Sequence, residues 1–428
     1  MKKATQGKNA GQGQSNELAI SGSLGLDDLI QQGARQIIQQ AIETELAEML
    51  DRFSNVTTIS GKRTVVRNGY LPCRQIVTAV GPVSVSIPKV RDRSGSGIKF
   101  NSSIVPPYVR KSPRVSAALP WLYLRGISTG DMSQALSVLL GDDAKGMSPS
   151  VVVRLKAQWA DEFAVWNKRD LSQARWVYWW VDGIHTGVRS EGSEGQCLLV
   201  IIGVNEDGLK ERVAIADGYR ESTESWRDVL LDLKARGLKA PPLLATGDGA
   251  MGFWAALDEV YPQVRQQRCW FHKTGNVLNA LPKSQHGRAK AALHEIWQAA
   301  TKADALKAFD RFVANFGAKY PKAVEKLTQD KDSLLAFYDF PAEHWQHLRT
   351  TNPIESTFAT VRHRTTRTRN CMARGTFLGL AFKLMEAAQE SWRRIRTPGR
   401  IKDLLTGIVF EDGNPVTEST PAQQLIAA

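Results

Sequence analysis

Three apolar runs in the middle of the chain constrain its fold more than any other feature. They are WVYWWVDG from Trp176, CLLVIIGV from Cys197 and ERVAIADGY from Glu211, and each has the length of a strand. A helical pattern follows, and then a further apolar run, PPLLATGDG, from Pro241. Strands in series, followed by a helix and another strand, are typical of a mixed sheet with helical cover. The sequence therefore predicts an α/β domain.

Periodicity predicts the elements on both sides of these runs. The predicted elements are an amphipathic helix over Leu26–Arg52, β-structure over Arg63–Lys89, three helices over Arg114–Trp166, a helical region from Phe253 to about Tyr338, a helix from near Asn352 and a long helix over Thr376–Ile395. The second of the three helices is predicted to begin near Ser128, with Asp131 in a capping-box position. The third is predicted to begin at Pro149, with Ser148 as its N-cap. The tail after Arg400 is predicted to be mostly loop.

Basic residues are concentrated in two segments of a chain whose net charge is +13. Residues 61–118 contain 11 Lys or Arg and one acid, and residues 349–402 contain 12 Lys or Arg and three acids. Such blocks favour contact with nucleic acid, and a generally basic surface is the alternative. The third helix of the 114–166 region carries Arg154 and Lys156 on its predicted exposed face. This pattern fits a helix-turn-helix, and an ordinary helical bundle fits it equally well.

The chain lacks the sequence features of a membrane or disulfide-rich protein. No apolar run is long enough to span a bilayer, and the N-terminus is a polar stretch that we expect to be a flexible arm. The four cysteines are scattered, with no CxxC pair: Cys73, Cys197, Cys269 and Cys371. Their spacing argues against a disulfide scaffold and against a four-cysteine zinc site, and it favours a reducing cytosol.

Three acidic residues are the candidates for chemistry. Asp182 and Asp248 each end an apolar run and precede a glycine, and the carboxyl ends of strands are where sites form in α/β sheets. The alternative for each aspartate is an ordinary Asp-Gly turn. Glu355 falls in the first turn of a helix that Pro353 is predicted to start, where an acid is also favoured by the helix dipole alone. Arg362 is two turns further along the same predicted face.

Carboxylate oxygens are the ligands that hard cations prefer, and two Mg²⁺ ions can promote phosphodiester chemistry. The chain has no P-loop, dinucleotide-binding glycine pattern or GxSxG motif that would indicate a different reaction. The run CWFH, from Cys269 to His272, is half of a zinc-like spacing without a second half, so a structural contact or a polar group near the acids is the favoured interpretation. His185 is interpreted as a polar loop residue. Stacking of Trp254, Trp270 and Trp345 on an unpaired base is an alternative to their burial in a core.

Four stretches together resemble the mutator-type transposases of bacterial insertion sequences. They are RNGYLPCRQIVTAVGPVSVSIPKVRD; LYLRGISTGDMSQALSVLLG with GMSPSVVVRL; VDGIH through GDGA and CWFHKTGNVLNALP; and TTNPIESTFATVRHRTTRTR. The resemblance implies an RNase H-like core in which Asp182, Asp248 and Glu355 are the catalytic acids. It also implies an all-helical insertion between the second Asp and the Glu, with Cys269 and His272 as the C-x-x-H motif at its start. Arg362 resembles a basic residue that follows the catalytic Glu.

The predicted organisation combines these observations. The predicted segments are a flexible arm (1–25), an N-terminal helix with a possible dimer contact (26–60), a basic β-containing DNA-binding region (61–112), a helix-turn-helix-like region (113–170), the first part of the core (171–252), the helical insertion (253–348), the second part of the core (349–400) and a tail (401–428). The predicted fold class is α/β. The predicted DNA-binding side chains are Arg154, Lys156, Arg362, Arg364, Arg367 and Arg369.

The resemblance implies a DNA transposase that binds terminal inverted repeats, nicks DNA strands and transfers them, by a copy-out, paste-in route. The expected cofactor is a pair of Mg²⁺ ions, with Mn²⁺ as a substitute, and the expected partners are double-stranded DNA and a second copy of the chain. No membrane or small-molecule substrate is expected, and the expected location is the bacterial cytoplasm at the nucleoid. The alternatives are a catalytically silent DNA-binding relative and a nuclease that cuts without joining strands.

Overall fold

The structure, a computed structural model, describes residues 25–128, 131–140, 149–189, 195–218, 221–249, 252–367 and 374–416. The chain divides into two compact units, the first comprising residues 1–119 and 131–147, and the second residues 120–130 and 148–428. The predictions for the N-terminal arm, Ser148, Arg369, Cys371 and the end of the tail lie outside the described residues. None of the helices in the described part of the chain combines the length and hydropathy that a bilayer-spanning segment needs.

The first unit packs one long helix against short antiparallel strands. Its elements include α1 (Leu26–Arg52), β1 (Val65–Tyr70), β2 (Arg74–Thr78), β3 (Gly81–Val85) and β4 (Pro88–Asp92). β1 pairs with β4, and β2 pairs with β3. Ile42 and Leu46 of α1 are buried with Val83 and Val85 of β3 in one core. The predicted helix and the predicted β-structure are both confirmed, since periods of 3.6 and 2 were each clear in the sequence.

Three helices follow, as predicted: α2 (Pro113–Leu124), α3 (Met132–Leu140) and α4 (Pro149–Asn167). α4 begins at the predicted proline. The predicted start of α3 near Ser128 is wrong, because the helix begins at Met132. Asp131 occupies the position before it, where its carbonyl oxygen accepts a hydrogen bond from the Ala135 amide at 2.9 Å.

A five-stranded mixed sheet organises the second unit. Its strands are β5 (Trp176–Arg189), β6 (Gly195–Asn205), β7 (Lys210–Gly218), β8 (Leu244–Gly247) and β9 (Arg265–Arg268), in the order β7-β6-β5-β8-β9. β5, β6 and β7 are antiparallel neighbours, whereas β8 and β9 run parallel to β5. The predicted mixed sheet is confirmed. β9 was not predicted, because its sequence, RQQR, lacks the apolar pattern of a strand.

Helices cover the two faces of this sheet. α5 (Thr223–Ala235) and α6 (Phe253–Val260) contribute Trp226 and Phe253 to the core on the face that contains Trp179. On the other face, the Tyr178 hydroxyl lies 2.9 Å from His344 Nδ1, and Trp180 Nε1 donates to the His347 carbonyl at 2.9 Å. Alternation along β5 therefore sends neighbouring aromatic side chains into two separate layers.

A helical segment lies between β9 and the last part of the core. It contains α7 (Trp270–Leu278), α8 (His286–Trp297), α9 (Lys302–Phe316), α10 (Pro321–Thr328), α11 (Lys331–Leu334) and α12 (Trp345–Leu348), with short 3-10 turns at Lys283–Gln285, Ala336–Asp339 and Ala342–His344. The helical region predicted from Phe253 is thus interrupted by β9. This correction follows from tertiary pairing of a polar strand with β8.

The chain then returns to the sheet through α13 (Asn352–Arg367) and α14 (Arg374–Gln389). α13 packs against β5, and α14 packs against β7 and α4. The long helix predicted over Thr376–Ile395 therefore begins and ends earlier than expected. The tail is less irregular than predicted, since α15 (Gly399–Leu405) is followed by the hairpin of β10 (Phe410–Glu411) and β11 (Asn414–Pro415).

Candidate active site

Asp182 lies within β5 and not at its end. β5 continues to Arg189, and Asp182 and Gly183 pair with Val200 and Leu199 of β6. Both the predicted strand end and the alternative of an Asp-Gly turn are therefore wrong for Asp182. The parallel pairing of β5 with β8 stops at Val181, so Asp182 is the first residue of β5 beyond the end of β8.

Asp248 directly follows β8, as predicted. Gly247 pairs with Val181, so the two aspartates leave neighbouring parallel strands at the same level of the sheet. The backbone carbonyl of Asp248 accepts hydrogen bonds from Trp254 Nε1 at 2.6 Å and from Arg268 Nη1 at 3.2 Å. These two donors fix the peptide that follows Asp248, and with it the direction of the aspartate side chain.

Glu355 is in the first turn of α13, as predicted, and its carboxylate is held from inside the protein. The Thr351 hydroxyl donates to Glu355 Oε1 at 2.8 Å and lies 3.3 Å from Cys269 Sγ. The Thr351 amide also donates to Cys269 Sγ, at 3.4 Å. Buried Cys269 therefore makes a structural contact that positions the start of α13.

His272 interacts electrostatically with Asp182, Asp248 and Glu355. Its Nε2 lies 3.9 Å from Glu355 Oε1. Its pKa is raised to about 9, first by contact with the Cys269 thiol and also by the charges of Asp248 and Asp182, against the opposing effect of burial. An imidazolium donates hydrogen bonds, so His272 is placed to neutralise the carboxylates or to meet an anion.

A fourth carboxylate, Glu221, joins this group and was not predicted. Its carboxyl group occupies the space above Gly183, where any β-carbon would overlap it. Its backbone carbonyl accepts a hydrogen bond from the Gly252 amide at 3.0 Å, and its side chain lies 3.6 Å from His185 Nε2. We call Asp182, Glu221, Asp248 and Glu355 the acidic cluster. Because β7 is parallel to β5, an acid that follows β7 reaches the same edge of the sheet, and this position was the signal available in the sequence.

Asp182, Glu221 and Asp248 influence one another's ionisation. The pKa of Asp182 is raised to about 7, mainly by burial and further by the neighbouring charges of Glu221 and Asp248, while His272 opposes the rise. The pKa of Glu221 is also raised, mainly by burial. A nearby cation stabilises the ionised form of carboxyl groups that raise one another's pKa, and carboxylate oxygens are the ligands that Mg²⁺ prefers.

Among the described residues, two sets of possible metal ligands have their ligand atoms close together, and each set includes one member of the acidic cluster. The ligand atoms of Cys269, His272 and Glu355 lie within 4.8 Å of one another, as do those of His185, Cys197 and Glu221. Burial raises the pKa of the Cys197 thiol to about 12, which disfavours the thiolate in the absence of a bound cation. His185 is exposed and lies within β5, not in a loop.

The three candidate stacking tryptophans belong to the core. Trp254, Trp270 and Trp345 are buried, and their indole N–H groups donate to the carbonyls of Asp248, Leu334 and Phe340. The alternative that they stack on an unpaired base is therefore wrong, because their faces are covered by the protein.

The predicted DNA-binding residues are only partly placed. Arg154 is exposed on α4, whereas Lys156 is half-buried, with its Nζ 5.8 Å from the centre of the Tyr123 ring. Arg362 is exposed on α13, and Arg364 and Arg367 belong to the same helix, although their side chains lie outside the described residues.

Comparison with known proteins gives one consistent result. The sequence model of the family described as "Transposase, Mutator family" matches residues 6–394. The chain is 56% identical over 304 residues to the transposase for insertion sequence element IST2 of Acidithiobacillus ferrooxidans, which covers 69% of this chain and 100% of that protein. It is 54% identical over 306 residues to the transposase for insertion sequence element IS6120 of Mycolicibacterium smegmatis, covering 72% of this chain and 94% of the relative. A more distant relative, the transposase for insertion sequence element ISRM5 of Rhizobium meliloti (strain 1021), is 27% identical over 392 residues, which cover 91% of this chain and 93% of the relative.

Proposed function

The chain belongs to the mutator family of transposases, and from this premise we propose that it moves an insertion sequence by nicking DNA at the element's ends and joining the freed strands to another phosphodiester. The observation that carries the proposed chemistry is the meeting of Asp182, Asp248 and Glu355 around His272. These acids are far apart in the sequence. An ordinary protein surface would not be expected to place all three near one half-buried imidazolium.

The second unit is proposed to be RNase H-like. The strand order β7-β6-β5-β8-β9, with three antiparallel strands followed by two parallel ones, supports this assignment. The helices α7–α12 between β9 and α13 are then the insertion that separates Asp248 from Glu355 in the sequence. Their position explains how Asp248 and Glu355, which are 107 positions apart in the sequence, can belong to one site.

Asp182, Asp248 and Glu355 are proposed to hold two Mg²⁺ ions, with Mn²⁺ as a substitute. When bound, the ions would supply Lewis-acid activation of an attacking oxygen and stabilisation of the leaving oxygen. The chain's own residues do the positioning. Thr351 orients the Glu355 carboxylate, and Trp254 and Arg268 hold the peptide of Asp248.

His272 is the charged complement of these acids. As an imidazolium it offsets part of their negative charge, and so lowers the cost of bringing a DNA phosphate close to four carboxylates. Strand joining by attack of a 3′-hydroxyl on a phosphodiester conserves the number of ester bonds, so the reaction needs no ATP.

DNA binding is proposed to use the two basic segments, residues 61–118 in the first unit and 349–402 in the second. The helices α2–α4 are proposed to assist in recognising the terminal inverted repeats. A homodimer is expected because two element ends must be joined, and a copy-out, paste-in route through a circular intermediate follows from the family resemblance alone.

The decisive test replaces one acid without changing its shape. Asp248→Asn is expected to bind labelled element ends as the wild-type protein does, and to lose strand nicking with Mg²⁺ by at least about 100-fold, because a neutral amide is a weak ligand for this ion. The matched control is Asp207→Asn, which changes an exposed aspartate of the Asp-Gly turn after β6.

The same assay separates the rival functions. Nicking followed by joining supports a transposase, nicking alone indicates a nuclease, and binding alone indicates a silent DNA-binding relative. Undiminished nicking by Asp248→Asn would overturn the assignment of the acids.

A further inference from the structure

The peptide of Asp248 depends on a donor from β9. Arg268, the last residue of β9, pairs with Gly247 and donates from Nη1 to the Asp248 carbonyl at 3.2 Å. Its guanidinium lies 4.5 Å from the centre of the Trp254 ring, and Trp254 is the second donor to the same carbonyl. The position of Arg268 is therefore coupled directly to the orientation of Asp248.

Arg268 is itself held by an acid of the helical segment. Asp330 immediately precedes α11, and its Oδ1 lies 3.5 Å from Arg268 Nε. The two side chains are only 14% and 15% exposed, so the pair is largely screened from water. A β-carbon added at Gly249 would lie 3.8 Å from Asp330 Oδ2, which puts this carboxylate against the loop that carries Asp248.

Asp330 also neutralises a second cation. Its Oδ2 makes a close ion pair with Lys273 Nζ, and the Lys273 side chain is 4% exposed. Lys273 donates in addition to the Lys326 carbonyl at 2.8 Å, which ties α7 to α10. Lys273 directly follows His272 in the chain. Asp330 therefore contacts both Arg268, which donates to the Asp248 carbonyl, and Lys273, which is adjacent to His272.

We propose that Asp330 is a positioning residue for Asp248: by pairing with Arg268 it fixes the Asp248 peptide, and through it the geometry of the proposed metal ligands. The inference rests on the proposed role of Asp248. It gives the helical segment a specific part in the reaction, because Asp330, in the turn between α10 and α11, supplies the charge that keeps Arg268 directed at a carbonyl.

The charges around Arg268 indicate how its guanidinium would move if the carboxylate of Asp330 were removed. Besides Asp330, the acids that act on its guanidinium are Asp248 and Asp258. If the carboxylate of Asp330 is removed, the guanidinium is left without its nearest counter-charge in a site of low exposure, and the carboxylate of Asp248 becomes a competing partner. A cation that pairs with Asp248 competes with a metal ion for the same oxygens.

The test uses the full chain and two readouts. Mn²⁺ binding is followed by the electron paramagnetic resonance signal of the free ion, and strand nicking of labelled element ends is followed across a Mg²⁺ titration. For Asp330→Asn we expect at least about a 10-fold weaker affinity for Mn²⁺ and a parallel rise in the Mg²⁺ concentration for half-maximal nicking, as when a partner that orients a metal ligand is lost. Binding to DNA ends is expected to stay unchanged.

A matched control exists on the same strand. Arg265, at the start of β9, pairs with Asp339 at 2.6 Å, and this pair is exposed (56% and 36%) and remote from Asp248 in the strand. Asp339→Asn is expected to bind Mn²⁺ with the wild-type affinity. An equal loss in both variants would overturn the proposal, because it would trace the effect to general loosening of the helical segment.

A second variant covers the case in which Asp330→Asn does not fold. Arg268→Lys keeps a cation opposite Asp330 and removes the guanidinium donor to the Asp248 carbonyl. We expect it to fold and to bind Mn²⁺ more weakly, whereas wild-type affinity would overturn the proposal. If Asp248→Asn itself binds Mn²⁺ as the wild-type chain does, the proposed metal site fails first, and this inference fails with it.

Discussion

Single side chains show how the acidic cluster is balanced against its surroundings. Asp182 is half-buried among acids, and its pKa rises to about 7 for that reason, whereas the pKa of nearby His272 rises to about 9. The two shifts have opposite consequences for charge, because a raised pKa neutralises a carboxyl group and keeps an imidazole charged. The ionised form of Asp182 is therefore disfavoured, while His272 stays charged beside it.

The lowered pKa of His347 allows the burial of a single side chain to be tested. Its pKa is lowered from 6.5 to about 4, mainly by burial and further by the charges of Lys210, His344 and Arg396. Below pH 6.5 the unfolded chain takes up a proton that the folded chain refuses until about pH 4. The free energy of unfolding is therefore expected to fall by up to about 3 kcal/mol as the pH is lowered through this range.

The measurement is urea unfolding at pH 7 and pH 4.5 for the wild-type chain and for His347→Gln. Glutamine keeps a polar side chain but cannot be protonated, so the variant is expected to lose less stability on acidification. An identical loss in both proteins would contradict the burial of a neutral imidazole at this position.

At the same scale, the sequence identified three of the four acids and missed Glu221. Asp182 and Asp248 were marked by the ends of apolar runs, and Glu355 was assigned to the set through the family resemblance. Glu221 follows a strand that is separated from β5 in the chain and in the sheet. Its approach to Asp182 depends on the absence of a side chain at Gly183, which is a property of packing and not of a motif.

Among the elements, β9 shows most clearly how tertiary structure overrides local pattern. Its residues are Arg, Gln, Gln and Arg, which are typical of a solvated segment. Gln267 is nevertheless completely buried, and its amide is satisfied by backbone groups: Nε2 donates to the Leu334 carbonyl at 3.1 Å, and Oε1 accepts from the Phe337 amide at 2.9 Å. The strand exists because the residues around it supply these partners.

Replacing Gln267 by leucine tests this account of β9. Gln267→Leu leaves the buried Phe337 amide without an acceptor, so we expect the free energy of unfolding to fall by about 1–3 kcal/mol. Gln266→Leu, next to it on the opposite side of the strand, removes only an exposed hydrogen bond to Asp258 and is expected to change the free energy by less than about 0.5 kcal/mol. Equal effects in chemical unfolding would show that the buried amide does not hold β9.

For the molecule as a whole, we expect its positive charge to govern the proposed binding to DNA. The net charge of +13 is concentrated in two segments, and the exposed side chains of Arg91, in β4, and Arg93, directly after it, belong to the first of them. The double variant Arg91→Ala, Arg93→Ala is expected to weaken binding to DNA and to reduce the slope of log K against log salt by about 2, because each phosphate contact releases counterions.

The control for this prediction changes two exposed lysines of the helical segment, Lys290→Ala and Lys322→Ala, with the same loss of charge. We expect the control to keep the wild-type slope in a fluorescence anisotropy titration at several salt concentrations. Equal slopes for the two double variants would indicate that binding follows net charge alone and not the basic segment 61–118.

By itself, the sequence determined the mixed α/β sheet, the bounds of α1, the start of α4 and the position of Glu355 in the first turn of a helix. Hydrophobic periodicity and the residue preferences at helix ends are local to one element, so they can be recognised from the sequence alone. Only the tertiary structure decided that Asp182 lies inside a long strand, that RQQR forms β9, and that Glu221 and Asp330 reach the site. These features depend on which strands become neighbours and on which buried groups find partners, and both are settled by contacts between residues that are distant in the chain.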